Sequence, residues 1–372
     1  MYDAIIVGAR VAGAPLALLL ARRGHRVLLL DRATFPSDTL STHFILPEGS
    51  ARLRSWGLLD PLLDAGCRPI TTLTRDFGLI TLAGPIGGDA PGLCPRRYVL
   101  DTLLVEAARA ARAEFRGGFT AHDLLRDGEG RVVGLRGRDD AGATVEEHAR
   151  LVVGADGYHS FVAKAVGAQE YDVRPGTSCG YYSYWSGIAG DGAEVHWRDN
   201  RILFAFPTNE GRTCIAQEVP ATMFGSFRAD IERTFDAGLD AVPDLAARVR
   251  AGRREERFAG LAPRPALFRQ AWGPGWALAG DAGCYKDPVS GSGITDAFRD
   301  ADLLADALDA GLSGRQPLDE ALAAYGAARD AATRPGYEGA ALLSSFAPLT
   351  PDLLQKIAGA TGGPPQPAAA PA

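Results

Sequence analysis

The stretch Ile5-Ile-Val-Gly-Ala-Arg-Val-Ala-Gly13, followed by Asp31 at the end of the next apolar run, decides how this chain folds. Residues 2–7 read as a short buried strand. A glycine turn follows, then a helical pattern over 12–23 that Gly24 stops, then a second apolar strand over 26–30. Strand, turn, helix and strand in about 30 residues make one βαβ unit and imply a parallel sheet. Glycine at the strand–helix junction lets the backbone turn tightly and approach a pyrophosphate at the helix N-terminus. An acidic side chain ending the second strand can accept hydrogen bonds from ribose hydroxyls, so the unit reads as a dinucleotide-binding turn. One departure stands out: Gly8 and Gly13 fit the GxGxxG pattern, but Arg10 holds its middle glycine. That side chain must fold away from the phosphates or pair with them.

Two later motifs have the same grammar. Val152-Val-Gly-Ala-Asp-Gly157 ends a strand and precedes a helix. Ala277-Leu-Ala-Gly-Asp-Ala282 ends another, followed by Asp287-Pro288, Gly291-Ser-Gly293 and a helix. An aspartate just past a strand's carboxyl end lies at the crevice where α/β sheets bind ligands. A glycine-rich loop feeding a helix N-terminus suits the end of a flavin ring that gains negative charge on reduction.

The remaining chain sets bounds. At roughly 150 residues per domain, 372 residues suggest two domains or one composite. A net charge of −6, from 39 basic and 45 acidic residues, argues against nucleic acid as partner. The five cysteines are scattered without a CxxC pair, which fits free thiols and a reducing compartment. No apolar run reaches the ~18 residues of a membrane span, and the early strand leaves no room for a signal peptide. A cytoplasmic protein is expected.

Residues 34–48 read as a long loop, 50–59 as a helix, 77–82 as a strand, 97–112 as a helix, and 131–135 and 149–153 as strands returning to the sheet. The middle is aromatic and β-like over 179–188, 193–197, 202–206 and 213–219, with a hairpin at 207–212, and resembles an inserted antiparallel sheet. Helical patterns cover 226–237, 245–251, 294–310 and 318–331. The small, Pro-rich end over 361–372 reads as a disordered tail.

With three motifs in this order, the chain resembles the FAD-dependent monooxygenases typified by para-hydroxybenzoate hydroxylase. Arg97-Tyr-Val-Leu100 is similar to the family's flavin-contacting arginine at a helix start. The resemblance covers roughly residues 1–310. It implies an α/β fold: a Rossmann-like FAD-binding domain, a parallel sheet with helices, plus an inserted, largely antiparallel β-sheet substrate domain and C-terminal helices. The FAD-binding domain is expected over 1–75, 96–168 and 272–330, and the substrate domain over 76–95 and 169–271. A C-terminal helical segment is expected over 331–360.

Carried over by position, the resemblance gives the FAD pyrophosphate to Gly8 and Gly13 and the adenosine ribose to Asp31, with Arg10 and Arg32 beside them. Arg97 and Pro288 would contact the cofactor, Asp281 its phosphate–ribityl region, and Gly291, Gly293 and Ile294 the isoalloxazine. Asp156 and Gly157 resemble a motif linked to both FAD and NAD(P)H. A basic loop residue, here His43, often approaches the flavin in relatives, although a locally bonded loop histidine would read the same way. The implied chemistry is reduction of the flavin by NAD(P)H, addition of O2 to give a flavin hydroperoxide, and transfer of one oxygen atom to a small organic, aromatic or natural-product substrate.

Tyr182 and Tyr184, which alternation puts on one strand face, are candidates to line the substrate pocket with Phe204 and Phe206. No catalytic side chain is assigned, because the cofactor carries the difficult chemistry. Gly176-Thr-Ser-Cys-Gly180 matches the nucleophile-elbow pattern but runs into a strand where that elbow needs a helix. His159 reads as packing or capping. His25, His122, His148 and His196 lack ligand-like spacing, so no metal is expected. Related flavoproteins include halogenases and reductases of isoprenoid double bonds. The WxWxIP motif of tryptophan halogenases is absent, and a two-component system would add a flavin reductase as partner. A non-catalytic flavin-binding protein is the alternative of another class, supported only by Arg10.

Overall fold

The computed structural model describes residues 1–41, 43–190, 192–348 and 350, so the expected tail over 361–372 and the end of the 331–360 segment lie outside the described residues. A parallel ladder forms its spine. Its strands run in the order Trp276–Leu278, Thr144–Gly154, Tyr2–Val7, Val27–Leu30, Glu114–Arg116. Tyr2–Val7 sits in the middle, buried along Ala4–Val7, as a near-continuous apolar run in a two-sided parallel sheet should be. Its alternate residues feed two cores. Ala4 and Ile6 pack with the helices Gly13–Arg22, Arg97–Ala110 and Gly293–Leu312. Ile5 and Val7 pack with the meander formed by Thr120–Arg126, Val132–Arg138 and the first half of Thr144–Gly154.

The second sheet runs Arg253–Arg254, Ser178–Ser186, Thr213–Pro220, Arg201–Pro207, Ala193–Arg198, Thr72–Asp76, Thr81–Pro85. It is antiparallel except where Thr72–Asp76 lies parallel to Ala193–Arg198. The α/β class and the antiparallel insertion expected from sequence are thus present.

The expected strand over 77–82 is corrected. Phe77, Leu79 and Ile80 belong to a turn, with Gly78 at φ +84° and Leu79 fully exposed, between the strands Thr72–Asp76 and Thr81–Pro85, and only Thr81 and Leu82 of the expected stretch lie in a strand. The helical pattern expected to end at 331 continues, since Leu318–Leu343 is one helix. The five cysteines are unpaired. Among the described residues no helix is long and apolar enough to cross a membrane, and no cluster of His, Cys, Asp and Glu is arranged to hold a metal ion.

Candidate cofactor and substrate site

At the fingerprint turn, Gly8 adopts φ +102°, and a Cβ there would lie 2.3 Å from the Ala155 carbonyl oxygen. A Cβ on Gly13 would meet the Gly8 carbonyl oxygen at 1.8 Å. Neither position tolerates a side chain, so the turn brings the start of the helix Gly13–Arg22 against the strand ends. Its N-terminus has no side-chain cap and no acidic residue in the first turn, leaving its N–H groups and dipole for an anion. Arg10 folds away: its guanidinium takes Asp101 at 2.5 Å, the Ser37 hydroxyl at 3.0 Å and the Asp38 carbonyl at 3.3 Å. Asp101 also accepts from Arg97 Nε at 3.0 Å, which ties the start of the helix Arg97–Ala110 to the fingerprint.

A third helix start converges there. Gly280, at φ +59°, has room for no Cβ: one would lie 2.9 Å from Ala12 Cβ and 3.6 Å from Ala297 Cβ. It therefore sits between the beginnings of Gly13–Arg22 and Gly293–Leu312. The next residue, Asp281, is exposed, yet enough protein surrounds it that burial pushes its carboxyl up to about 6, with Arg97 pulling the other way. An open carboxyl walled in by protein lines an interior cleft. Gly293 is also exposed, and a Cβ there would meet nothing within 4 Å. Ile294 beside it is buried, and Pro288 is half-buried in the preceding turn. No side chain caps this helix start either.

At the far end, Asp31 is buried and accepts from Ala9 N at 2.7 Å and Ala33 N at 2.8 Å, each oxygen keeping a second lone pair for a hydroxyl donor. Arg32 is exposed. Asp156 is differently employed. Its oxygens accept from Ser160 Oγ at 2.5 Å and Phe161 N at 2.6 Å, so it caps the helix Phe161–Val166, while Gly157 at φ +78° leaves open space.

The side of the second sheet that faces the cleft carries Tyr182, Tyr184, Phe204 and Phe206. The opposite side, with Tyr181 and Trp185, is core beneath the helices Phe224–Ala229, Ile231–Leu239 and Pro243–Ala251. Phe44 joins the two halves: its ring lies 4.7 Å from Phe206, and a Cβ on Gly291 would touch it at 3.6 Å. Tyr182 and Phe204 remain half-buried, whereas Tyr184 and Phe206 are buried. His43 is fully buried at φ +61°, with Nε2 hydrogen-bonded to the Tyr184 hydroxyl and Nδ1 without a partner among the described residues. Burial, with Arg97 adding to it, pulls its pKa down to about 3, so the ring is neutral.

Sequence reasoning missed Arg96. Its guanidinium lies 3.8 Å from the centre of the Tyr184 ring and pairs with Asp38 at 2.8 Å and Glu256 at 2.6 Å. Nothing in its spacing distinguishes it from Arg97. Ser178, centre of the apparent nucleophile elbow, lies in a strand, and its hydroxyl is shared between the buried Asp287, at 2.7 Å, and Glu218, both of whose carboxyls burial pushes up, so that it donates to one and accepts from the other. His159 is exposed against Tyr158, and no metal-like grouping forms around it among the described residues.

Three uncapped helix starts meeting between a glycine turn and a walled-in carboxyl fit a long, polyanionic cofactor with a planar ring. They define the class as a flavoprotein. The family model described as FAD binding domain matches residues 1–244, and the chain belongs to that family, in keeping with the resemblance to para-hydroxybenzoate hydroxylase-like flavoproteins. It is 25% identical over 316 residues to a digeranylgeranylglycerophospholipid reductase of Methanocella arvoryzae, covering 80% of this chain and 74% of that protein. It is 26% identical over 332 residues to a menaquinone reductase of Mycolicibacterium smegmatis, covering 83% and 76%. Among solved structures it is similar to PqsL, a probable FAD-dependent monooxygenase from Pseudomonas aeruginosa (TM-score 0.81, 23% identity, 96% of this chain and 99% of that one). It is also similar to the myxobacterial chondrochloren halogenase CndH (TM-score 0.85, 22% identity, 97% and 90%).

Proposed function

We propose that this FAD-family protein is a monooxygenase that transfers one oxygen atom from O2 to a small organic substrate, with NAD(P)H as reductant. The observation that carries the reading is the aromatic face of Tyr182, Tyr184, Phe204 and Phe206, joined through Phe44 to the Gly291 turn. An aromatic face beside the flavin-binding loop suits contact with a small aromatic molecule. When bound, FAD would supply the redox chemistry. The chain would hold its pyrophosphate at Gly8, Gly13 and the helix start behind them, its adenosine ribose at Asp31 beside Arg32, and its ribityl region at Asp281. Pro288, Gly291, Gly293 and Ile294 would border the ring. Arg97 would stand at the phosphates and Arg10 would act through Asp101. Asp156 would organise the turn that presents the Gly157 backbone, and His43 would lie between cofactor and substrate.

A second reading, reduction of a carbon–carbon double bond, is favoured by the two reductase relatives. One experiment separates the two. FAD-loaded protein is mixed anaerobically with NADPH or NADH, and candidate substrates are then turned over with isotopically labelled O2. Bleaching of the flavin and label in the product support oxygenation; a saturated product without label supports the reductase. No bleaching by either donor would point to a separate flavin reductase and a halogenase-like reaction. Asp281→Ala should weaken FAD retention in a folded protein, and unchanged retention would contradict the site assignment.

A further inference from the structure

The aromatic side of the second sheet ends in a polar contact with the turn that leads to Gly291. Alternation puts Ser178 and Gly180 on the same side as Tyr182, and Glu218 is register partner to Gly180 in the neighbouring strand Thr213–Pro220. The glycine leaves room for the carboxyl, since a Cβ on it would lie 3.2 Å from Glu218 Oε2. Opposite stands Asp287, at the start of the turn Pro288–Ser290. Its Oδ1 accepts from Val289 N at 3.1 Å, and the turn closes at Gly291, φ +63°, against Phe44. The Ser178 hydroxyl lies between the two carboxyls, hydrogen-bonded to Glu218 Oε1 and, at 2.7 Å, to Asp287 Oδ2. Ser178 and Glu218 are each 4% exposed and Asp287 8%, so water does not share these bonds.

A hydroxyl has one proton and cannot donate to both carboxyls, so a second proton must lie in the chain. Two bare carboxylates this close and out of water would repel each other, and among the described residues no cation pairs with either. Lys286 is engaged by Asp296. Tyr285 feels both carboxyls together with Asp281 and Arg264, and burial holds its hydroxyl protonated. Cys179, on the other side of the sheet, is a thiol that burial pushes up to about 12. The second proton belongs on Glu218. Burial pushes both carboxyls up, and Asp287 drives Glu218 further, whereas Ser178, the Val289 N–H and Ser344 draw Asp287 back. Glu218 therefore donates to Ser178, and Ser178 donates to the Asp287 carboxylate that caps the turn. Just past the helix Leu318–Leu343, Ser344 closes the cluster and accepts from Thr177 at 2.9 Å.

We propose that a single proton held between Glu218 and Asp287, with Ser178 as the bridge, fastens the turn Pro288–Ser290 to the substrate sheet and makes these two carboxyls positioning residues for the flavin ring. The proposal rests on the reading of Gly291 as a border of the isoalloxazine. Loss of the proton to water leaves two carboxylates facing one hydroxyl, and the contact between sheet and turn opens. The sign follows from where the proton is held. Above the ordinary glutamate value of 4.5 the fastened turn keeps a proton that the opened turn gives up, so opening becomes easier as pH rises. Neither carboxyl takes part in the chemistry.

The test follows FAD-loaded protein from about pH 5 to about pH 9, the range in which buried glutamates titrate. Infrared difference spectra should show the carbonyl stretch of a protonated carboxylic acid at neutral pH, lost as pH rises and missing from Glu218→Gln. Hydrogen exchange of the Val289 amide, corrected for the intrinsic rise with pH, should quicken by up to about tenfold per pH unit in wild type. In Glu218→Gln, whose amide donates to Ser178 and cannot ionise, exchange should stay slow and flat; in Asp287→Ala, which has lost the cap, it should be fast at every pH. The flavin absorbance should shift over the same range as the exchange. No acid band in wild type, or an exchange profile that Glu218→Gln leaves unchanged, would overturn the bridge, and the wild-type band alone decides if the variants do not accumulate. A turn that opens with pH while the flavin absorbance stays constant would overturn the positioning and the place given to Gly291 in the proposed function, with the acid band still reporting on the bridge.

Discussion

Arg10 and Asp101 are joined by a 2.5 Å ion pair in which the aspartate is wholly shielded from solvent and held from its other side by Arg97 at 3.0 Å. This pair explains how a dinucleotide turn works with arginine in place of its middle glycine. The guanidinium also lies 5.4 Å from the Phe35 ring and reaches the loop carbonyls at Ser37 and Asp38, so the long side chain bridges fingerprint and loop without crossing the phosphate approach.

Arg10→Gly restores the ordinary glycine pattern and removes half of Asp101's compensation. Breaking a buried pair outright costs roughly 3–5 kcal/mol; with Arg97 still in place, a loss of about 1–3 kcal/mol is expected. FAD affinity, measured by fluorescence on titrating the apoprotein, should change by less than about threefold, because Arg10 points elsewhere. A loss beyond about tenfold would mean that the side chain swings back onto the phosphates, the other option that the sequence left open.

Gly13 and Gly157 are both motif glycines, but they demand glycine for different reasons. A Cβ on Gly13 would overlap the Gly8 carbonyl oxygen at 1.8 Å, whereas Gly157 is strained only by φ +78° and has open space around it. Gly157→Ala should therefore cost about 1 kcal/mol and still yield yellow, folded protein. Gly13→Ala should fail to retain FAD or to accumulate as folded protein. Equal behaviour of the two variants, read by flavin absorbance per mole of protein and by thermal midpoint, would contradict this account of the turn.

Legibility followed the same line. Gly8, Gly13, Gly280 and Gly291 could be read because a backbone turn constrains the residue type locally, without knowledge of what packs around it. The substrate sheet was readable as alternation, but alternation fixes only that Tyr182 and Tyr184 share a side. Which side meets the cleft depends on Phe44 and the Gly291 turn, distant in sequence. The turn at 77–80 was misread because Phe77, Leu79 and Ile80 are apolar like a strand, although Leu79 and Ile80 are exposed. Thr72–Asp76 was missed because Arg75 and Asp76 break the apolar pattern. Asp156 reads as a ligand-binding motif residue, while its side chain serves as a helix cap, a distinction set by Ser160 and Phe161.

His43 offers a test that depends on pH. Its imidazole is fully buried, its pKa is drawn down to about 3 from the ordinary 6.5, and its Nε2 engages the Tyr184 hydroxyl. Below pH 6.5 the unfolded chain binds this proton and the folded chain does not until about 3, so the stability it confers is complete above 6.5 and drains away as pH falls toward 3. Over that window one histidine contributes a slope of about 1.4 kcal/mol per pH unit. In His43→Gln the side chain cannot titrate, and an amide can still bond to the Tyr184 hydroxyl. Urea unfolding of FAD-loaded wild type and variant across this range should give curves that converge toward low pH, with the variant shallower by close to one proton. Parallel curves would show that His43 is protonated in the folded state, and that the Tyr184 contact is made by an imidazolium exposed to more water than this packing allows.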